Sequence, residues 1–291
     1  MRAHNRLLVA ASALAVAGHA ALPHAAETVP LSELERETHI HGLAVDPQDA
    51  SRLLVATHHG LYRTQADGTA ERVSEVQDLM GFTPHPGDPG VLYASGHPAG
   101  GGNLGFIAST DQGRTWAQIS PGLNGPVDFH QLTVSRADPA TVYGAYGALQ
   151  LSRDGGTTWS AAGPAPERLI DLAASAIDAD TVYAATEAGL LASRDAGGTW
   201  EPLIDGAPVT LVEVAPDGTL YAFVYGRGLV ASGEPPAGFE TVSAGFGGAF
   251  LLHLAADPTD PDRLFAATGE GAILASTDRG RTWSGLAGSG P

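Results

Sequence analysis

The chain contains no cysteine and no lysine. Without cysteine there is no disulfide, so the oxidising compartment is not used for stability, and a lipoprotein anchor at a cleavage-site cysteine is not expected. Without lysine, all 15 basic residues are arginines. They face 32 Asp and Glu, for a formal net charge of −17. Such a surface repels nucleic acid and anionic membranes and gives no encouragement to polyanionic substrates. Charged residues make up only 16% of the chain, too few for helices laced with ion pairs. Long apolar runs are also missing, apart from Leu7–Ala17 near the start. That run is shorter than the roughly 20 residues a spanning helix needs. With Arg2 and Arg6 before it and small residues after it, it reads as the core of a secretory signal over residues 1–26, with cleavage near Ala20 or Ala26. The expected product is exported, periplasmic or extracellular, not inserted in a membrane, and monomeric.

What is abundant is turn chemistry: 38 glycines and 20 prolines. The turns fall in a repeat. Four segments read S-x-D-x-G-x-T-W: Ser109–Trp116, Ser152–Trp159, Ser193–Trp200 and Ser276–Trp283. Their tryptophans, Trp116, Trp159, Trp200 and Trp283, stand 43, 41 and 83 positions apart. The last interval is nearly double the others, so a degenerate copy is expected within it; Leu229–Ser232 leading to Phe239–Val242 fits. Another lies at Leu61–Gly68. A period near 41 residues with about four short strands per unit is the mark of propeller blades. The expectation is an all-β fold: a β-propeller of about six four-stranded blades over residues 39–291. Residues 27–38 are a candidate edge strand that helps close the ring. Inner strands are expected at Ile40–Val45, Leu79–Thr83, Phe129–Val134, Leu169–Ala173, Thr210–Val214 and Leu251–Ala255.

The repeat resembles the Asp-box, or BNR, repeat of sialidase-like, sortilin-like and photosystem-assembly propellers. Thr38-His-Ile-His-Gly-Leu43 and Thr57-His-His-Gly-Leu61 are also similar to segments of bacterial exported propellers labelled glycosyl hydrolase. Within the box, the residue types explain themselves. Asp111, Asp154, Asp195 and Asp278 can accept hydrogen bonds from their own turns, so a structural role is expected for them rather than catalysis or calcium binding. The tryptophans begin the next strand and are expected to pack between blades.

In an antiparallel blade the first and third turns share one face. The boxes are third turns, so their face is structural. The opposite face is built from the starts of inner strands and from second-turn loops. There the unusual residues collect: His41, Met80 and His130 at equivalent positions of three consecutive blades, with His58, His59 and His97 in the adjoining loops. Imidazoles with a thioether suit copper, and imidazoles with carboxylates suit zinc. The alternative is that these histidines simply hydrogen-bond within loops and strand ends. Gly96–Gly105 forms the longest loop of this face, a candidate lid or a plain insertion.

Two functions remain open. One is a module that binds a small molecule, a glycan, a protein or a transition metal (copper or zinc), with Arg168, Arg227, Tyr146 and Tyr225 as further ligand contacts. The other, implied by the resemblance, is a glycoside hydrolase using carboxyls among Asp128, Asp171, Glu187 and Glu270. The family's sialidases hold their substrate with three arginines. Here only Arg168 and Arg227 lie on the correct face and no Arg-Ile-Pro signature is present, so a typical sialidase is not expected.

Overall fold

The computed structural model describes residues 27–286, so the expected signal segment lies outside the described residues. Six sheets, each antiparallel and each made of consecutive strands, stand around a central shaft. The inner strands are Ile40–Val45, Gln77–Pro84, Gln131–Val134, Leu169–Ala174, Val209–Val214 and Leu251–Ala256. All six match the expected positions to within two residues at either end. In the third blade the strand begins two residues later than Phe129. The Phe129 N–H donates instead to Ser95 Oγ of the preceding blade, 2.9 Å away. Among the described residues no helix is long and apolar enough to cross a membrane.

The core is not central. It is divided among the interfaces between successive blades, where side chains of facing sheets meet. One such interface joins Leu54, Leu61, Leu79, Leu92 and Ile107. The box tryptophans belong to these interfaces: Trp159 lies against Phe106 of the blade before it and Phe129 at the start of its own, with ring centroids 5.3 and 4.9 Å away. Gly156 shows why the box needs glycine. Its φ is +84°, and a Cβ there would fall 2.0 Å from the Phe106 ring. The aspartates close the turn as their chemistry suggests. Asp154 accepts hydrogen bonds from the Thr158 N–H at 2.8 Å, the Ser152 hydroxyl at 2.8 Å and the Thr158 hydroxyl at 2.7 Å. Asp111, Asp195 and Asp278 repeat the pattern.

The residues before the first blade form two elements. Thr28–Pro30 pairs with Thr69–Glu71 and adds a fifth strand at the outer edge of blade 1. The helix Leu31–Glu37 then crosses toward blade 6. Leu31 and Leu34 are buried with Ile40 of blade 1 and Ala267 and Ile273 of blade 6, and the Glu35 carboxylate accepts the Ile273 N–H at 2.9 Å. Blade 6 is complete from its own consecutive strands. The ring is therefore closed by packing and side-chain hydrogen bonds across the seam rather than by a shared blade.

Candidate functional site

The boxes stand beside the first turns of their blades: the Gly155 N–H donates to Ala140 O, and Ala196 N–H to Asp180 O. They occupy the underside, so the starts of the inner strands and the second-turn loops crown the opposite face. On that face two triads form. The first is His41, His58 and Asp78; the second is His97, Asp128 and His130, and in each one donor atom per residue lies within 4.8 Å of the others. Two members of each are related by one blade step, while His41 belongs to the blade before Asp78 and His130 to the blade of Asp128. His58 and His97 come from the second-turn region of consecutive blades. Asp78 and Asp128 stand at the start of the following inner strands, two residues before Met80 and His130.

In the first triad, His41 Nε2 lies 3.2 Å from the nearest nitrogens of His58 and 3.6 Å from Asp78 Oδ1. His58 Nδ1 lies 2.9 Å from Asp78 Oδ2. The pairing of this strand shifts register between Ile40 and Gly42, so His41 occupies an irregularity that aims it out of the ladder. Burial, with help from neighbouring His58, pushes His41 down to about 4 against the opposing pull of Asp78. It is a neutral imidazole at neutral pH, the form that binds metals. Asp78 Oδ1 is buried without a hydrogen bond.

In the second triad, Asp128 Oδ2 lies 2.7 Å from His130 Nε2 and 3.1 Å from His97 Nε2. The Asp128 side chain is 8% exposed, and its Oδ1 is buried with no partner. The hydrogen bond to Asp128 raises the pKa of His130, with burial opposing. His97 is oriented from behind: its Nδ1 lies 2.8 Å from Gly102 O, so Nδ1 carries the proton. In a neutral ring, Nε2 then points a lone pair at a carboxylate oxygen. Two acceptors 3.1 Å apart require a cation or a proton between them.

The spacing suits one ion per triad. Donor atoms on a tetrahedral ion with bonds of about 2.0–2.1 Å lie roughly 3.3 Å apart. The distances of the first triad bracket that value, and the two to Asp128 in the second fall below it.

The remaining expected residues are placed as follows. His59 is exposed beside the first triad, its N–H bonded to Thr57 Oγ1. Met80 is buried in the inner strand between the triads. Asp171 faces the shaft, where its carboxylate accepts the N–H groups of Leu172 and Val212, both at 2.9 Å. Burial drives it up to about 8 in spite of those two bonds. Glu187 is paired with Arg168, and Glu270 is exposed. Arg227 donates to Phe239 O and Thr241 Oγ1 within its own blade. Tyr146 and Tyr225 are exposed on the upper face, and the Tyr146 hydroxyl accepts from Asn103. The Gly96–Gly105 loop is pinned by that amide, by the Asn103 bond to Pro126 O, and by His97. Sequence reasoning missed the two aspartates as partners of the histidines. The signal was there: Asp78-x-Met80 and Asp128-x-His130 have the same offset in adjacent blades.

The sheets and hairpins define the class: a six-bladed Asp-box β-propeller. Residues 150–161 match the family model described as BNR/Asp-box repeat. No curated protein sequence matches the chain. Among solved structures it is similar to the GH74 xyloglucanase of Xanthomonas campestris, with 18% identity and a TM-score of 0.58 over 90% of this chain and 47% of that one. It is also similar to a GH74 enzyme of Niastella koreensis, with 16% identity and a TM-score of 0.60 over 85% and 45%. The chain spans about half the length of these two enzymes. A third likeness is to YCF48 of Cyanidioschyzon merolae, with 17% identity and a TM-score of 0.53 over 92% and 90%. At such identities the shared property is the fold.

Proposed function

We propose that this propeller acts outside the cytoplasm as a binding module that holds divalent transition-metal ions, zinc foremost, in the two His/Asp triads of its upper face. One observation carries the reading. Asp128 sets one oxygen between two imidazole nitrogens while its other oxygen is buried and unpartnered, and His97 has its only neutral-state proton committed to Gly102. A cation satisfies all of these groups at once. Imidazole and carboxylate donors suit zinc; a thioether from Met80 would draw the site toward copper.

Zinc titration of chelator-treated protein without a histidine tag tests this. Uptake of two ions per chain with a rise in melting temperature is expected, since a ligand that binds only the folded state stabilises it. Asp78→Asn and Asp128→Asn should each remove one ion. Trace uptake with no stabilisation by zinc or copper would end the proposal.

The second reading, a glycoside hydrolase, draws on the likeness to the xyloglucanases. It needs two carboxyls flanking one sugar bond. Asp171 is bound to backbone N–H groups, Glu187 to Arg168 and Asp128 to two histidines, which leaves no ready pair among the candidates. Turnover of chromogenic glycosides, lost in Glu187→Gln or Asp171→Asn, would favour it instead.

A further inference from the structure

The shaft holds a cavity that the triads do not use. A cavity of about 320 Å³ is enclosed by the six inner strands and opens between the first turns of the underside, at Pro47, His85, Pro86 and Pro258. It lies at the small end of ligand-pocket volumes, about 300–1,000 Å³. Proline-rich turns make its rim stiff before any ligand arrives.

Two charged side chains in it are unmatched. Glu213, on the inner strand of blade 5, lines the cavity, and its carboxyl accepts no hydrogen bond from the described residues. Arg136 leaves the first turn of blade 3 and reaches past blade 4, so that its Nε donates to Val214 O at 3.3 Å. It thus spans part of the shaft opening. Its two terminal nitrogens have no acceptor among the described residues, although Glu213 is the next residue along from Val214. Burial favours the neutral form of Glu213 and the nearby Arg136 opposes it, yet the two do not close into an ion pair. An acid and a base that line one enclosed space without pairing leave both groups short of partners, a costly arrangement unless something bridges them.

The geometry points to a binding site for a small zwitterion, an α-amino acid or dipeptide, whose ammonium group meets Glu213 and whose carboxylate meets Arg136. A simple anion would face Glu213 and a simple cation would face Arg136. Only a ligand carrying both signs matches both groups, and planar guanidinium suits a carboxylate in two-pronged contact. The site lies on the underside and makes no use of the triads, so it stands or falls separately from metal binding.

Thermal unfolding and calorimetric titration of the full chain in EDTA, with leucine, alanine and alanyl-alanine at millimolar concentration, test the inference. EDTA removes any effect of amino acids on bound metal. At least one of these ligands should raise the melting temperature. N-acetyl-leucine, which lacks the ammonium, and leucine methyl ester, which lacks the carboxylate, should bind at least about tenfold more weakly, as expected for loss of one charge-assisted contact. Glu213→Gln and Arg136→Met should weaken the zwitterion by a similar factor while leaving zinc uptake unchanged. The analogue series needs no variant, so misfolding cannot obscure it. No response to any zwitterion would overturn the inference. So would equal binding of N-acetyl-leucine and leucine, or a response that survives in Glu213→Gln.

Discussion

His253 of the last blade hydrogen-bonds through Nε2 to the carbonyl oxygen of Ile40 in the first, 3.0 Å away. This joins the two ends of the ring from the shaft side, while Leu31 and Leu34 seal the seam further out. Gln131 makes the corresponding reach in blade 3, donating to Ile170 O of the next blade at 3.2 Å. One position of the inner strand is thus used repeatedly to tie neighbours together.

The ring-closing bond makes a prediction about acid. Burial pushes His253 down to about 4 from its ordinary 6.5, against the bond to Ile40. The unfolded chain therefore binds a proton that the folded ring refuses between pH 6.5 and 4, and stability falls as pH falls through that window. Replacing His253 by Gln keeps a donor and removes the titration. Urea midpoints of His253→Gln and the parent protein, measured at pH 7.5 and 4.5, should diverge in the variant's favour at the lower pH, by at most about 3 kcal/mol.

Glu213 predicts the reverse slope at higher pH. Desolvation raises it to about 7, with Arg136 opposing. The contribution of its neutral form is complete below about 4.5 and is lost as pH rises through 7. Glu213→Gln should match the parent near pH 4.5 and exceed it at pH 8.5 by on the order of 1–3 kcal/mol, read from denaturant unfolding. A parallel pH dependence in both proteins would contradict this.

The box aspartates are expected to act on stability alone. Asp111 accepts from the Ser109 hydroxyl, the Thr115 N–H and the Thr115 hydroxyl at 2.9, 2.9 and 2.7 Å. Burial pushes its carboxyl up, but these bonds outweigh it and hold the group below the usual range. Asp111→Ala should cost about 1–3 kcal/mol, on the order of several degrees in melting temperature. Zinc uptake on the other face should not change.

The second triad depends on a carbonyl held in an unusual backbone conformation. Gly102 has φ of +90°, and its oxygen receives the His97 Nδ1 bond. Gly102→Val strains that conformation and misdirects the carbonyl. Zinc affinity at this triad should drop by about 10- to 100-fold, the usual effect of losing a group that orients a ligand. The His41 triad should titrate as before, which separates local misorientation from general damage.

The architecture was legible because the repeat is local. A hairpin needs its Ser, Asp, Gly, Thr and Trp within eight residues, and recurrence of that hairpin near every 41 residues leaves little choice but blades. Inner-strand positions could be read for the same reason. The gathering of histidines on one face was also legible, since alternating turns of an antiparallel sheet fall on alternating ends. Their aspartate partners left only the shared offset of Asp78 and Asp128 as a trace, not the pairing itself. Asp78 meets His58 across 20 residues and Asp128 meets His97 across 31, distances set by how one blade turns against the next.

The sequence by itself determined the number of blades, the face of the box turns and the residue types offered on the opposite face, because each follows from short-range turn chemistry and strand alternation. Only the tertiary structure decided which carboxylate stands between which imidazoles, how Leu31 and Leu34 close the seam, and that Arg136 and Glu213 share a shaft without pairing. Those relationships arise from the packing of whole sheets, where a small rotation moves side chains at the strand ends by more than a hydrogen-bond length.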